Sequence, residues 1–199
     1  MRRIAHLTAL VLALASFGAR ANEVEVREAQ LEAVEEGLIL NADFAFDLSQ
    51  RLEEAVVNGV PLYFRVEFEL SRPRWYWFDD NAVSASLQLR LSYHALSRTY
   101  RLSTGLLQQN FATLEEALNV MKRVRNWLVA DRTVTFSDAD YEARVRLRLD
   151  PAMLPKPFQL SALTSRELQL DSPWKRFTVR SPKQLPAPVE SREPRGVQR

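Results

Sequence analysis

The sequence predicts a mostly β, α+β domain: an antiparallel β-sandwich-like arrangement of about seven to nine strands with two short helices. Three runs carry that expectation. At 62–70, 83–93 and 141–149, apolar and polar residues alternate with period two, the mark of a strand with one buried face and one wet face. Such alternation belongs to antiparallel sheets, because parallel strands are covered on both faces and read as continuous apolar runs. Helical spacing is confined to two stretches and no internal repeat is present, which leaves sheet packed on sheet as the architecture.

The elements follow in order. Val24 and Val26, Leu31, then Leu38 and Leu40 alternate weakly around Glu35, Glu36 and Gly37, a pair of strands joined by a Gly-containing turn. Phe44, Phe46 and Leu48 carry the second strand onward. Ser49 is placed to cap a short helix from Gln50 to Asn58, with Leu52, Ala55 and Val56 on its apolar face and Gly59 as its stop. In the clearest strand, Leu62, Phe64, Val66, Phe68 and Leu70 alternate with Tyr63, Arg65, Glu67 and Glu69. The run from Val83 to Tyr93 repeats the pattern, and a turn at His94 to Ser97 leads into a hairpin partner at Tyr100 and Leu102. Thr113 and Glu116 make a capping box, opening a helix predicted to reach Trp127 with Leu114, Ala117, Leu118, Met121 and Val124 at helical spacing. From Tyr141 to Leu149 the inward residues alternate with Glu142, Arg144, Arg146 and Arg148, and Asp150-Pro151 ends the strand. Past an irregular crossing at Pro155 and Pro157, short strands are predicted at 168–170 and 177–179.

Composition bounds the chemistry. With 199 residues, 46% hydrophobic and 26% charged, the chain is of globular type and of one-domain size. The absence of cysteine excludes disulfides, a thiol nucleophile and thiolate metal sites. Five glycines allow no phosphate-cradling loop, and no Gly-x-Ser-x-Gly elbow occurs. The acidic groups at Asp79-Asp80 and at Asp138, Asp140 and Glu142 lack calcium-loop spacing and read as turns. Neither a metal site nor a cofactor is expected, and no catalytic constellation is recognised.

The N-terminus reads as an address. Arg2 and Arg3 precede an apolar run from Leu7 to Phe17, and small residues Ala19 and Ala21 flank Arg20. This is the three-part pattern of a secretory signal peptide, and its apolar core falls well short of the ~20 residues a membrane-spanning helix needs. Residues 1–21 are therefore expected to be cleaved, leaving one β-rich domain over 22–180 and a tail at 181–199 that is rich in proline and poor in large apolar groups, hence disordered. The expected location is the periplasm, with no stable membrane span. Loss of Arg2, Arg3 and Arg20 takes 27 basic residues to 24 against 25 acidic ones, a net of −1. Residues 22–60 hold 10 acidic and 2 basic residues, and 61–199 hold 15 and 22, so acidic N-terminal strands are expected to pair with basic ones across a sheet. Nucleic acid is not an expected partner of an exported chain.

The most unusual stretch is 72–79, RPRWYWFD, four consecutive aromatics behind two arginines. If the strand before it keeps its phase, Trp75 and Trp77 project from the wet face beside Arg65, while Tyr76 and Phe78 stay on the core face. Arg65, Arg72, Arg74, Trp75, Trp77 and Asp79 are therefore the candidate binding residues, suited to anchoring a protein partner, stacking on a sugar ring or meeting a membrane interface. The other arrangement is an aromatic plug at one end of the sandwich. Arg144, Arg146 and Arg148 likewise leave two readings: pairing with Glu67 and Glu69 on a neighbouring strand, or an exposed basic stripe.

The strings 40–48 (LNADFAFDL), 59–64 (GVPLYF), 72–79 (RPRWYWFD), 91–94 (LSYH) and 154–157 (LPKP) resemble a proteobacterial exported domain-of-unknown-function family, numbered 4390, over about residues 24–180. The resemblance implies no activity, cofactor or catalytic residue. It implies a genetic neighbourhood shared with a membrane-bound sensor histidine kinase and its response regulator. The functional expectation is a periplasmic, non-enzymatic binding or accessory domain with a protein partner in the cell envelope, such as that kinase. Recognition of an envelope glycan or lipid is the alternative, and a hydrolase ranks behind both.

Overall fold

The computed structural model describes residues 24–72, 80–159 and 165–180. The expected signal segment, the 181–199 tail and positions 73–79 of the aromatic stretch lie outside them. Among the described residues, nine strands form two antiparallel sheets. The smaller holds β1 (Glu25–Val34), β2 (Gly37–Ala45) and β7 (Arg123–Asp131), in the order β1-β2-β7. The larger has the order β6-β5-β4-β3-β8-β9, with β3 (Leu62–Arg72) and β8 (Tyr141–Leu149) near its centre, β4 (Asp80–His94) and β5 (Thr99–Thr104) beyond β3, and β6 (Leu107–Phe111) and β9 (Lys175–Val179) at its two edges.

The alternating runs fold as their pattern requires. Along β3 the side chains of Leu62, Phe64, Val66, Phe68 and Leu70 are fully buried, and Ala143, Val145 and Leu147 of β8 match them. Leu38, Leu40, Ala42 and Phe44 of β2 meet them from the smaller sheet, so one apolar cluster fills the space between the sheets. Phe46 and Phe64 stack across it with ring centroids 6.2 Å apart. Helix α1 (Gln50–Val57) packs against β4, with Ser49 Oγ accepting from the Leu52 amide at 3.2 Å. Helix α2 (Leu114–Met121) carries its capping box and lies over β5, β6 and β7.

Four local expectations need correction. The second helix stops at Met121, and its predicted last turn belongs to β7, because Val124, Trp127 and Leu128 complete β2's edge instead of extending a helix. The second strand ends at Ala45, so Phe46 and Leu48 are buried without being strand residues. In place of the strand expected at 168–170, a 3₁₀ turn at Arg166–Leu168 leads into a stretch that seats Leu168 and Leu170 in the core. β6 went unrecognised because it is exposed over nearly its whole length and shows no buried alternation.

Candidate functional site

On the outer face of the larger sheet, the register sets Glu67 opposite Arg146 and Glu69 opposite Arg144. The basic stripe is therefore paired. Arg146 Nε donates to Glu67 Oε2 at 2.6 Å, Arg148 reaches Glu67 Oε1 at 2.8 Å, and Arg144 Nε donates to Glu69 Oε2 at 2.8 Å. Trp174 closes the other side, its ring 4.8 Å from the Arg144 guanidinium and 4.4 Å from that of Arg146. Burial pushes the Glu67 pKa up, but the hydrogen bonds and charges of Arg146 and Arg148 outweigh it and hold the carboxyl below its ordinary range. A carboxylate held this way is a structural anion and not a proton donor.

The expected binding residues are dispersed where they are described. Arg65 faces Arg148 across the ladder, and its charge is taken up by Asp150 at 2.6 Å, whose other oxygen accepts from the Ala152 amide at 3.1 Å. Arg72 lies seven positions further along β3, about 23 Å at ~3.3 Å per residue, and donates to Ser137 Oγ at 3.3 Å beside Tyr141. Arg74, Trp75, Trp77 and Asp79 fall outside the described residues, as do Tyr76 and Phe78. His94 Nδ1 lies 2.9 Å from Ser97 Oγ and accepts from the Ser97 amide, which closes a surface turn. Among the described residues, no group of three or more His, Cys, Asp or Glu could hold a metal ion, and no helix is long and apolar enough to cross a membrane.

A long concavity lies on the outer face of the smaller sheet. One register shift occurs between β1 and β2, at Val26/Glu28, and two occur between β2 and β7, so the strands bend and twist away from a flat surface. Asn126, in one of the irregular stretches, has φ +51, and its amide donates to Asn41 Oδ1 at 2.9 Å. The result is a trough of three joined cavities of about 390, 300 and 530 Å³. Its apolar end is formed by Val34, Ile39 and Leu128, with Glu32 and Glu36 beside them; the middle is lined by Gln30, Asn41 and Asn126, with Glu28 and the Asp43–Arg125 pair. Its far end holds Arg27, Lys122, Arg123 and Arg125. Arg125 is paired with Asp43 and Lys122 with Asp47, whereas Arg27 and Arg123 have no ion-pair partner among the described residues. Here part of the acidic N-terminal excess meets basic residues, as its charge balance required. The trough was not legible in the sequence: its residues come from three strands, and nothing in the alternation marks a bulge.

A family model described as Domain of unknown function (DUF4390) matches residues 21–178, and the chain belongs to that family. No curated protein and no solved structure matches it.

Proposed function

We propose that this member of the DUF4390 family is a periplasmic, non-enzymatic accessory domain whose trough takes an extended segment of a protein partner in the cell envelope. The trough is the observation that carries the reading. It follows β2 from Ile39 to Ala45, about 20 Å at ~3.3 Å per residue, long enough for a peptide segment and open along its length. It passes from an apolar end through amide side chains to two arginines without an ion-pair partner among the described residues, a gradient suited to a chain with apolar and acidic positions in sequence. The extracytoplasmic part of a sensor histidine kinase is the partner the family resemblance favours. Arg72, Arg74, Trp75, Trp77 and Asp79 supply a second contact on this reading, while Arg65 serves chiefly to hold Asp150.

The test is calorimetric titration of the exported chain with the kinase's periplasmic segment. Binding is expected, and R27E combined with R123E should weaken it at least about tenfold, equal to ~1.4 kcal/mol, with no change in melting temperature. Absence of binding up to about 1 mM, or binding indifferent to both arginines, would overturn the assignment. Saturation by peptidoglycan fragments or anionic vesicles in place of the segment would transfer the trough to a glycan or lipid.

A further inference from the structure

The two sheets present four edges, and three are defended against pairing with another chain. β1 carries Glu25, Arg27, Glu28 and Glu32; β7 carries Arg123, Arg125 and Asp131; β9 carries Lys175 and Arg176. Charges on an edge strand are a standard guard, since pairing two such edges buries or opposes them. β6, Leu107–Phe111, has no such guard: it reads LQQNF, and no charged residue lies between Arg101 and Glu115. Its neighbour on one side is β5, and among the described residues its other side has none.

Three further observations sit at this edge. Leu106, in the turn that joins β5 to β6, is fully exposed, and Leu107, the first residue of β6, is 72% exposed. Beside them a cleft of about 220 Å³ is walled chiefly by Leu87, Leu89, Leu102, Leu107, Val120 and Met121, with Gln109, Arg123 and Arg125 also on its lining. Gly105, at φ +57, opens a two-residue turn whose closing pair is Thr104 and Leu107. The closing pair of such a hairpin is hydrogen-bonded and the pattern alternates from it, so Gln109 and Phe111 also turn their backbone groups toward β5. The N–H and C=O groups of Gln108 and Asn110 consequently point out of the sheet.

We infer that two copies of the protein associate through β6, antiparallel about a two-fold axis at Gln109, so that two six-stranded sheets become one continuous sheet. This register is self-complementary. It sets Gln108 against Asn110 twice, forming backbone hydrogen bonds in both directions, and it brings Leu107 of each copy opposite Phe111 of the other. Gln109 meets its own image, and no like charges are opposed anywhere along the strand. The exposed Leu106, Leu107 and Val120 gain cover at the same step. Five paired residues per copy make a small interface, so the dissociation constant belongs in the range of about 1–100 µM.

Sedimentation velocity on the exported chain from about 1 µM to about 1 mM reads the equilibrium directly. Q109K and Q109E should each weaken self-association at least about tenfold, by opposing like charges at the axis, and an equimolar mixture should restore a heterodimer. Gln109 is exposed, so both variants should melt with the native protein. Amide exchange at Gln108 and Asn110 provides a second reading that needs no variant: protection should rise with protein concentration. The inference is overturned by a monomer across the range, by variants that dimerise like the native chain, by a mixture that stays monomeric, or by protection of these amides at every concentration.

Discussion

Glu67 shows how one side chain organises a whole face. It receives Arg146 and Arg148 from β8, and the ring of Trp174 lies against Arg146 and against Arg144, which Glu69 holds. Replacing Glu67 by Gln leaves both guanidinium groups short of an anion on a part-buried face. The expected cost is about 1–3 kcal/mol, above a surface ion pair and below a fully buried one. The pH dependence has a definite sign. Because the folded-state pKa lies below the unfolded one, the carboxylate's contribution is complete at pH values above the ordinary glutamate range and is lost as pH falls through the lowered folded value. Denaturant titrations at several pH values should therefore show native and E67Q proteins well separated near neutrality and converging in acid. A separation that persisted at the most acid pH at which both proteins still fold would mean that packing, not charge, is what the substitution removes.

Among the elements, β7 is the informative one. Leu114, Ala117, Leu118, Met121 and Val124 keep helical spacing, so the local pattern carries a helix past Lys122. The chain instead turns to satisfy the open edge of β2, and Trp127 and Leu128 pair with Leu40 and Ile39. The price is a residue in left-handed conformation: Asn126, φ +51, in the stretch that bends the trough. Asn tolerates this conformation and β-branched residues do not. N126V should lose about 1–2 kcal/mol of stability and impair trough binding, whereas N126G should stay within about 1 kcal/mol of the native protein in thermal melts. Equal losses in both would assign the cost to the Asn126 side chain and not to its backbone.

For the whole molecule, the two sheets share one core, and their fates are therefore coupled. Phe68 lies fully buried at the middle of β3. F68A should cost about 3–5 kcal/mol, a large share of the ~5–15 kcal/mol that holds a domain of this kind. Unfolding followed by circular dichroism and by tryptophan fluorescence should give one coincident transition in the native protein and in this variant. Two separated transitions would mean that the β1-β2-β7 sheet melts on its own.

The legible part of the fold and of the candidate surfaces is the part governed by local period and local chemistry. Period two in 62–70 and 141–149 placed every inward residue of β3 and β8, and with it the prospect of Glu67 and Glu69 meeting Arg144 and Arg146. Ser49 and the Thr113–Glu116 box marked both helix starts, since a cap is a bond between neighbours in the chain. Tertiary structure alone decided what depends on a partner element. The end of α2 was set by an unfilled strand edge, Trp174 was brought to Arg144 by a crossing remote in sequence, and the trough arose from register shifts among three strands that meet only after folding. A period or a cap is written in adjacent residues, whereas a register shift is the outcome of competition between two strands for one set of hydrogen bonds, and neither strand contains that outcome by itself.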